Sequence, residues 1–426
     1  MGINEQMDIL VQMVRQDSIP ALGCTEPVAV AYAAAVANKY ITADIDDMEI
    51  IVSKNIYKNG KSVIIPNTNE WGLDLAGALG LLGGNSEDGF MVLKNIDKDT
   101  IEGARNMIQG GKVHVKYLDN SPDIYVYIKA NSPKERVEVE LRDNHTYIDR
   151  IKVNGETVYR GHLVIEESTS TDFLKEMTFK EIRQICQMVD LEELAFIEEG
   201  IEMNKRAAEM GMRDDKGLGI GRAYKKMQRE GKLSNDAATQ ARILTAASAD
   251  MRMSGGDCPI MTSAGSGNQG LGVILPLVVV AEEHKVEREK LIRAIFFAHI
   301  INKYVKIHTG KLSAMCGCAI AAGIGASAGI SWILGGDDEE IQGACQNMLS
   351  NLTGMICDGA KETCALKLST SAGETVLSAY LAQEGVIVRS NVGIIGDSIE
   401  ETIKNVGLLC REGLIHADSV IVDMIQ

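Results

Sequence analysis

The sequence predicts an α+β protein: a mainly α-helical domain that carries an N-terminal, inserted α+β module. Three observations lead there. From Phe179 to the C-terminus, apolar residues recur at the i, i+3, i+4 spacing of amphipathic helices over many segments. Between Val113 and Val153 they alternate with polar residues instead, in short runs separated by the turn signals Asp143-Asn144-His145 and Asn154-Gly155. The hydrophobic share is 45% but the aromatic share only 4%, so the core must be built from Ala, Val, Ile, Leu and Met.

Taken in order, residues 4–15 read as a helix, broken at Ser18 to Gly23 before a small-residue helix over 27–40. Pro27 suits the first turn of that helix, which puts Cys24 just before a helix N-terminus, where amide donors and the dipole favour a thiolate. Strand-like runs at 48–56 and 62–65 flank Asn59-Gly60, a hairpin signal, and a polar loop follows from Pro66 to Gly72. A helix over 100–109 and strands at 113–117, 124–130, 136–142 and 147–153 make a hairpin meander covered by one helix. Beyond Ser168 to Asp172 the expected helices are 179–188, 191–210, 235–253, 271–283, 288–304, 312–330, 339–352, 373–383 and 399–411. The domains are then residues 1–85, a helix and hairpin segment bearing Cys24; 86–167, the α+β module; and 168–426, the helical domain.

Net charge narrows the function. At -16 with a pI near 5.0, the chain lacks the clustered cations that nucleic acid or an anionic membrane requires. A small-molecule substrate fits better, and a homo-oligomer is compatible with the sequence. The uncharged run Leu312 to Leu334 is long enough to span a bilayer, but its Ala, Gly and Ser supply little transfer energy and no second span accompanies it. Residues 1–16 mix charged and apolar residues in an amphipathic pattern, unlike a signal peptide, which points to a cytoplasmic protein. Nine cysteines in such a chain are thiols or metal ligands before they are disulfides.

The chemistry concentrates in a few motifs. Gly265, Gly267 and Gly270 match G-x-G-x-x-G, but no strand precedes them as a dinucleotide fold needs; a loop opening a helix can equally offer amides to a carboxylate, with Ser263, Ser266 and Asn268 adding hydrogen bonds. Cys316-Gly317-Cys318 together with Cys357 and Cys364 offers three or four thiolates, suited to an iron–sulfur cluster or zinc, although buried cysteines are also common core residues. His308, beside Thr309-Gly310-Lys311, is either structural or a proton-transfer group.

Cys24-Thr25-Glu26-Pro27, TSAGSGNQG at 262–270, KIHTGKLSAMCGCA at 306–319 and ICDGAK at 356–361 resemble, in order and spacing, the L-cysteine desulfidase family, which is related to the iron–sulfur L-serine dehydratase α chain. The resemblance covers essentially the whole chain. It implies a lyase that converts L-cysteine to pyruvate, hydrogen sulfide and ammonia with a [4Fe-4S] cluster and without pyridoxal phosphate, 168–426 being the helical iron–sulfur catalytic domain. By motif position the cluster ligands are Cys316, Cys357 and Cys364, with Cys318 competing for the first place. Cys24 falls on the family's N-terminal cysteine, as a cluster ligand or catalytic thiolate, and Cys24 and His308 are the candidate bases. Ser263, Ser266, Gly267 and Asn268 would hold the carboxylate, with Asn67, Asn69, Ser369 and Ser371 as further substrate contacts. The related serine dehydratases carry a cysteine followed by Gln-Gly-Glu well before the small-residue helix, and this chain does not. An L-serine dehydratase on the same cluster, a zinc-stabilised binding protein without catalysis, and a pyridoxal phosphate lyase are the rival expectations.

Overall fold

The computed structural model describes residues 2–161 and 166–425. Residues 162–165, just before the expected boundary at 167, lie outside the described residues. The architecture is α+β, as the sequence predicts. One mixed sheet has six strands in the order Val113–Leu118, Asp47–Ser53, Tyr125–Asn131, Arg136–Arg142, Ile148–Val153, Glu156–Arg160. The first pair is parallel and every other neighbour antiparallel.

Alternation along these strands decides which face is covered. Met48, Ile50, Val52, Val126, Ile128, Ala130, Val137, Val139 and Leu141 are all fully buried, and each is two residues from the next on its strand. They pack under the helix Thr25–Asn38, whose own outer side is closed by the helix Leu73–Gly83. Two helices of small residues can come this close because Gly80 faces the Ala31 carbonyl, where an added Cβ would lie 2.1 Å from the oxygen. Helix Thr25–Asn38 is therefore buried on nearly all sides, and the residue that opens it, Cys24, is held rigidly.

The expected hairpin over 48–65 does not form. Strand Asp47–Ser53 instead joins the strands from the 86–167 segment, so the two N-terminal segments share one sheet. The chain then turns into the helix Lys54–Gly60, capped by the Ser53 hydroxyl, which accepts from the Ile56 amide at 3.3 Å. Asn59-Gly60 thus ends a helix, a place where that pair is equally at home. Several elements escaped the sequence reading, among them the helices Leu73–Gly83, Ile220–Arg229 and Ala417–Ile425 and the edge strand Glu156–Arg160, and the stretch 168–172 lies inside a helix, Glu166–Lys175.

The helical body centres on Ala321–Ile333, every residue of which is buried, surrounded by Gly267–His284, Arg288–Thr309, Asp338–Leu352 and Cys364–Gln383. The central helix was expected to start at 312 but starts nine residues later. The reason is a competing pairing: Cys316 donates its amide to the Met355 carbonyl at 2.9 Å and Cys357 donates to that of Ala314 at 2.7 Å. This short antiparallel contact, centred on Met315 and Ile356, keeps the Cys316-Gly317-Cys318 segment out of the helix. Among the described residues no helix is long and apolar enough to cross a membrane.

Candidate active site

The extended contact between 314–316 and 355–357 brings Cys316 beside Cys357, and Cys364 arrives at the start of its helix seven residues later. The three thiols lie close enough to raise one another's proton affinity. Cys316 is pushed up by its hydrogen bond with Cys318 and by burial, Cys357 by burial and by Cys316, and Cys364 to about 12 by burial, Cys316 and Cys357. The contacts of the Cys357 and Cys364 sulfurs are long, 3.9 Å to Asn59 Oδ1 and 3.9 Å to the Gly359 carbonyl. Among the described residues no three His, Cys, Asp or Glu side chains close on one point as a single ion requires. A cluster presents several irons to separate ligands, so this set of soft, weakly held, mutually adjacent donors fits a thiolate-bound cluster. Lys58 and Lys367 stand near these thiols and favour their anionic forms.

Cys24 sits where expected, as the residue preceding helix Thr25–Asn38, but its thiol is not a low-pKa one. Burial and the carboxylate of Glu26, which accepts from its Sγ at 2.9 Å, push it well above the ordinary value. These outweigh the nearby Arg252, which acts the other way. Glu26 also accepts from Thr25 Oγ1 at 3.1 Å and from Asn59 Nδ2 at 2.9 Å. Asn59 in turn offers its Oδ1 to Cys357. One polar chain therefore runs from Cys24 through Glu26 and Asn59 to the thiol group.

The histidine near this chain is His145, which the sequence reading took for part of a turn. It comes from the loop between the strands Arg136–Arg142 and Ile148–Val153, is buried, and its Nε2 has no partner. Burial works to raise the Glu26 carboxyl, but the His145 imidazole and the donors Cys24 and Asn59 outweigh it, so Glu26 stays ionised. Burial also pushes His145 down to about 4 against the attraction of Glu26, leaving the ring neutral near pH 7.

His145 lines a cavity of about 320 Å³, with Asn144 and Thr146 beside it and Lys303, Lys306 and Lys311 on the helical side. The glycine loop reaches this cavity through Ala264 and Gly265. Both have positive φ, 47° and 73°, in a tight turn closed by the Ser266 amide on the Ser263 carbonyl at 2.9 Å. The loop's polar side chains point into the protein. Ser263 Oγ meets His299 Nδ1 at 2.7 Å and accepts from Asn302 Nδ2 at 2.8 Å, and Asn268 Oδ1 accepts from Arg252 at 2.8 Å. Gly267 leaves room for that guanidinium, whose Nε would lie 2.4 Å from an added Cβ. The helix opens at Gly267 and not at Leu271.

The other expected residues lie elsewhere. His308 is not on the cavity wall: it packs on Tyr304 with centroids 5.1 Å apart, and its surroundings are the cations Lys404, Lys175 and Arg411. Asn67 has φ 62° and donates to the Leu93 and Lys94 carbonyls, a turn-holding role, while Asn69 is exposed. Ser371 Oγ donates to the Ala319 carbonyl at 2.6 Å, and Ser369 is buried with an unpartnered hydroxyl. None of Asn67, Asn69, Ser263, Ser266, Gly267, Asn268, Ser369 and Ser371 lines the cavity. Glu26, Asn59, His145, Arg252 and Lys306 are the site residues that sequence reasoning missed. Only Glu26 and Lys306 carried a signal, since both lie inside the quoted motifs.

Known proteins resemble this chain along its length. A model of the serine dehydratase alpha chain family matches residues 128–423. A "UPF0597 protein" of Clostridium botulinum (strain Okra / Type B1) is 53% identical over 416 residues, 97% of this chain and 96% of its own. A protein of the same description from Alkaliphilus oremlandii is 41% identical over 424 residues, 99% of each chain, and one from Desulfatibacillum aliphaticivorans is 39% identical over 413 residues, 94% of each.

Proposed function

The chain belongs to the serine dehydratase alpha chain family, and on that premise we propose that it is an L-cysteine desulfidase, splitting L-cysteine into pyruvate, hydrogen sulfide and ammonia without pyridoxal phosphate. The observation that carries the reading is the polar chain Cys24–Glu26–Asn59–Cys357, which links a proton-accepting carboxylate to the thiol group, while His145 joins that carboxylate to a basic cavity.

Cys316, Cys357 and Cys364 would hold a [4Fe-4S] cluster, and three protein ligands leave it one iron to serve as a Lewis acid for the departing sulfur. The protein's own residues do the rest. The basic wall of the cavity receives the carboxylate. The Cys24–Glu26 pair takes the Cα proton: the ionised Glu26 carboxylate is the acceptor, and the Cys24 thiol keeps its own proton and holds that carboxylate in place through their hydrogen bond. Sulfide leaves Cβ with the electron pair of the C–S bond. The resulting 2-aminoacrylate tautomerises to an imine, which water hydrolyses to pyruvate and ammonia. Neutral His145, which neighbours Glu26 and lines the cavity, offers its ring N–H to the substrate and so helps place it against the base.

Anaerobic purification followed by iron and acid-labile sulfide analysis, with pyruvate and sulfide assays on L-cysteine and L-serine, tests the reading. We expect about four irons per chain and both products from L-cysteine. Pyruvate from serine with no sulfide from cysteine would transfer the assignment to an L-serine dehydratase, the reading that the matching family's description favours. Stoichiometric zinc without iron would favour a non-catalytic binding protein, and a borohydride-trapped pyridoxal lysine would favour the cofactor that this reading leaves out.

A further inference from the structure

We propose that Lys306 binds the substrate's carboxylate in the cavity that it lines together with the Ala264-Gly265 turn. This deepens the lyase reading and rests on it. Helix Arg288–Thr309, apolar over much of its length, carries one polar face. His299, Asn302, Lys303 and Lys306 recur at i, i+3, i+4 and i+7, the spacing of a single stripe. The first three are spent on holding the glycine loop and the chain beside it. His299 and Asn302 both grip Ser263 Oγ. Lys303 pairs with Asp17 at 2.7 Å, and the Asp17 carbonyl accepts from Thr262 Oγ1 at 2.7 Å and from the Gly265 amide at 3.3 Å. The stripe thus holds the loop and the chain beside it until its last member, which lines the cavity together with the loop's tip.

The cations of this wall differ in what already holds them. Lys175 is paired with Asp172 at 3.0 Å, Lys303 with Asp17, and Lys311 donates to the Asp143 carbonyl at 2.7 Å. Among the described residues Lys306 has no ion pair and no side-chain hydrogen bond, although it is half-buried and lines the cavity. Asp17, Glu26 and Asp123 influence it or are influenced by it from a distance, and none bonds to it. A half-buried ammonium without an anion is unfavourable, and burial pushes Lys306 down to about 8, against the attraction of Cys318. A ligand carboxylate would relieve it. Among the described residues the other cations of the wall already have partners, so the acid group of a small amino acid is drawn to Lys306 and this fixes which end faces it.

The test compares wild type, Lys306→Met and Lys306→Arg as anaerobically prepared holoproteins of equal iron content. For L-cysteine we expect Lys306→Met to raise KM about 10- to 100-fold with kcat changed less than about threefold, and Lys306→Arg to recover most of the loss. A thermal-shift titration with L-alanine, an unreactive carboxylate carrier, provides a readout independent of turnover: wild type should be stabilised and Lys306→Met should not. An unchanged KM in Lys306→Met, an equal alanine shift in both proteins, or no shift in wild type overturns the assignment. If wild type makes no pyruvate from either amino acid yet shows an alanine shift that needs Lys306, the desulfidase reading falls and the carboxylate site stands.

Discussion

Two histidine neighbourhoods in this protein share one electrostatic fate and differ in everything else. Burial pushes both His145 and His308 down to about 4, and both leave Nε2 buried without a partner. His145, however, is the neighbour of an ionised carboxylate, Glu26, and lines the cavity. His308 has an aromatic ring on one side and three cations around it, and its carbonyl is held by Arg411 at 2.7 Å. A perturbed histidine is therefore no guide to function until its partner is named. Desolvation sets the shift in both places, but only His145 stands beside an ionised carboxylate and on the cavity wall.

The largest effect should come from the partner that makes the difference. Glu26→Gln keeps the shape but removes the acceptor that the Cys24 thiol and the proton route depend on. Pyruvate formation should fall about a thousandfold, within the range of a general base, with iron retained. Loss of iron as well would mean that Glu26 acts by holding the fold, and the contrast between the two histidines would lose its chemical basis.

A smaller effect, about a hundredfold on kcat, is expected for His145→Asn, with less than a twofold change for His308→Asn. The assay is steady-state kinetics on the two holoproteins at pH 7. Equal losses would show that the cavity wall is not what distinguishes them.

Which parts of this contrast could be read from the chain follows from how each part is encoded. The three cysteines and the glycine loop are local motifs, and residue type with spacing is enough to single them out. The α+β class follows from periodicity. His145 is reached only through three-dimensional pairing: it lies in an ordinary Asn-rich turn, and it meets Glu26 because the sheet that carries the turn is docked by helix Thr25–Asn38. Asn59 was hidden for a related reason, since Asn-Gly signals a hairpin as readily as a helix end and only the partners of strand Asp47–Ser53 decide between them. His308 looked favourable through nearness in sequence to Cys316, but it lies one residue before the end of its helix, and the chain from Gly310 onward leaves in another direction. The small-residue run misled in the same way: its composition is helical, yet Ala314 to Cys316 pairs with Met355 to Cys357 and stays extended.

The last prediction separates what the two histidines share from what they do not. Each has a folded-state value of about 4 against an ordinary 6.5, so between these values the unfolded chain binds a proton that the folded chain refuses. Stability must then rise with pH across that window, and it is lost as pH falls from about 6.5 towards 4. Asparagine at either position removes one such proton. Between pH 7 and pH 5, His145→Asn and His308→Asn should each lose less stability than wild type, by on the order of 1 kcal/mol, when urea midpoints are compared at the two pH values. Comparing slopes cancels whatever the substitution costs in packing at neutral pH. Flattening in both variants, with activity lost in only one, is the result expected if burial sets the proton affinity and the neighbour sets the role. A wild-type slope in His308→Asn would mean that its ring is solvated and its neutral state is not imposed by the fold.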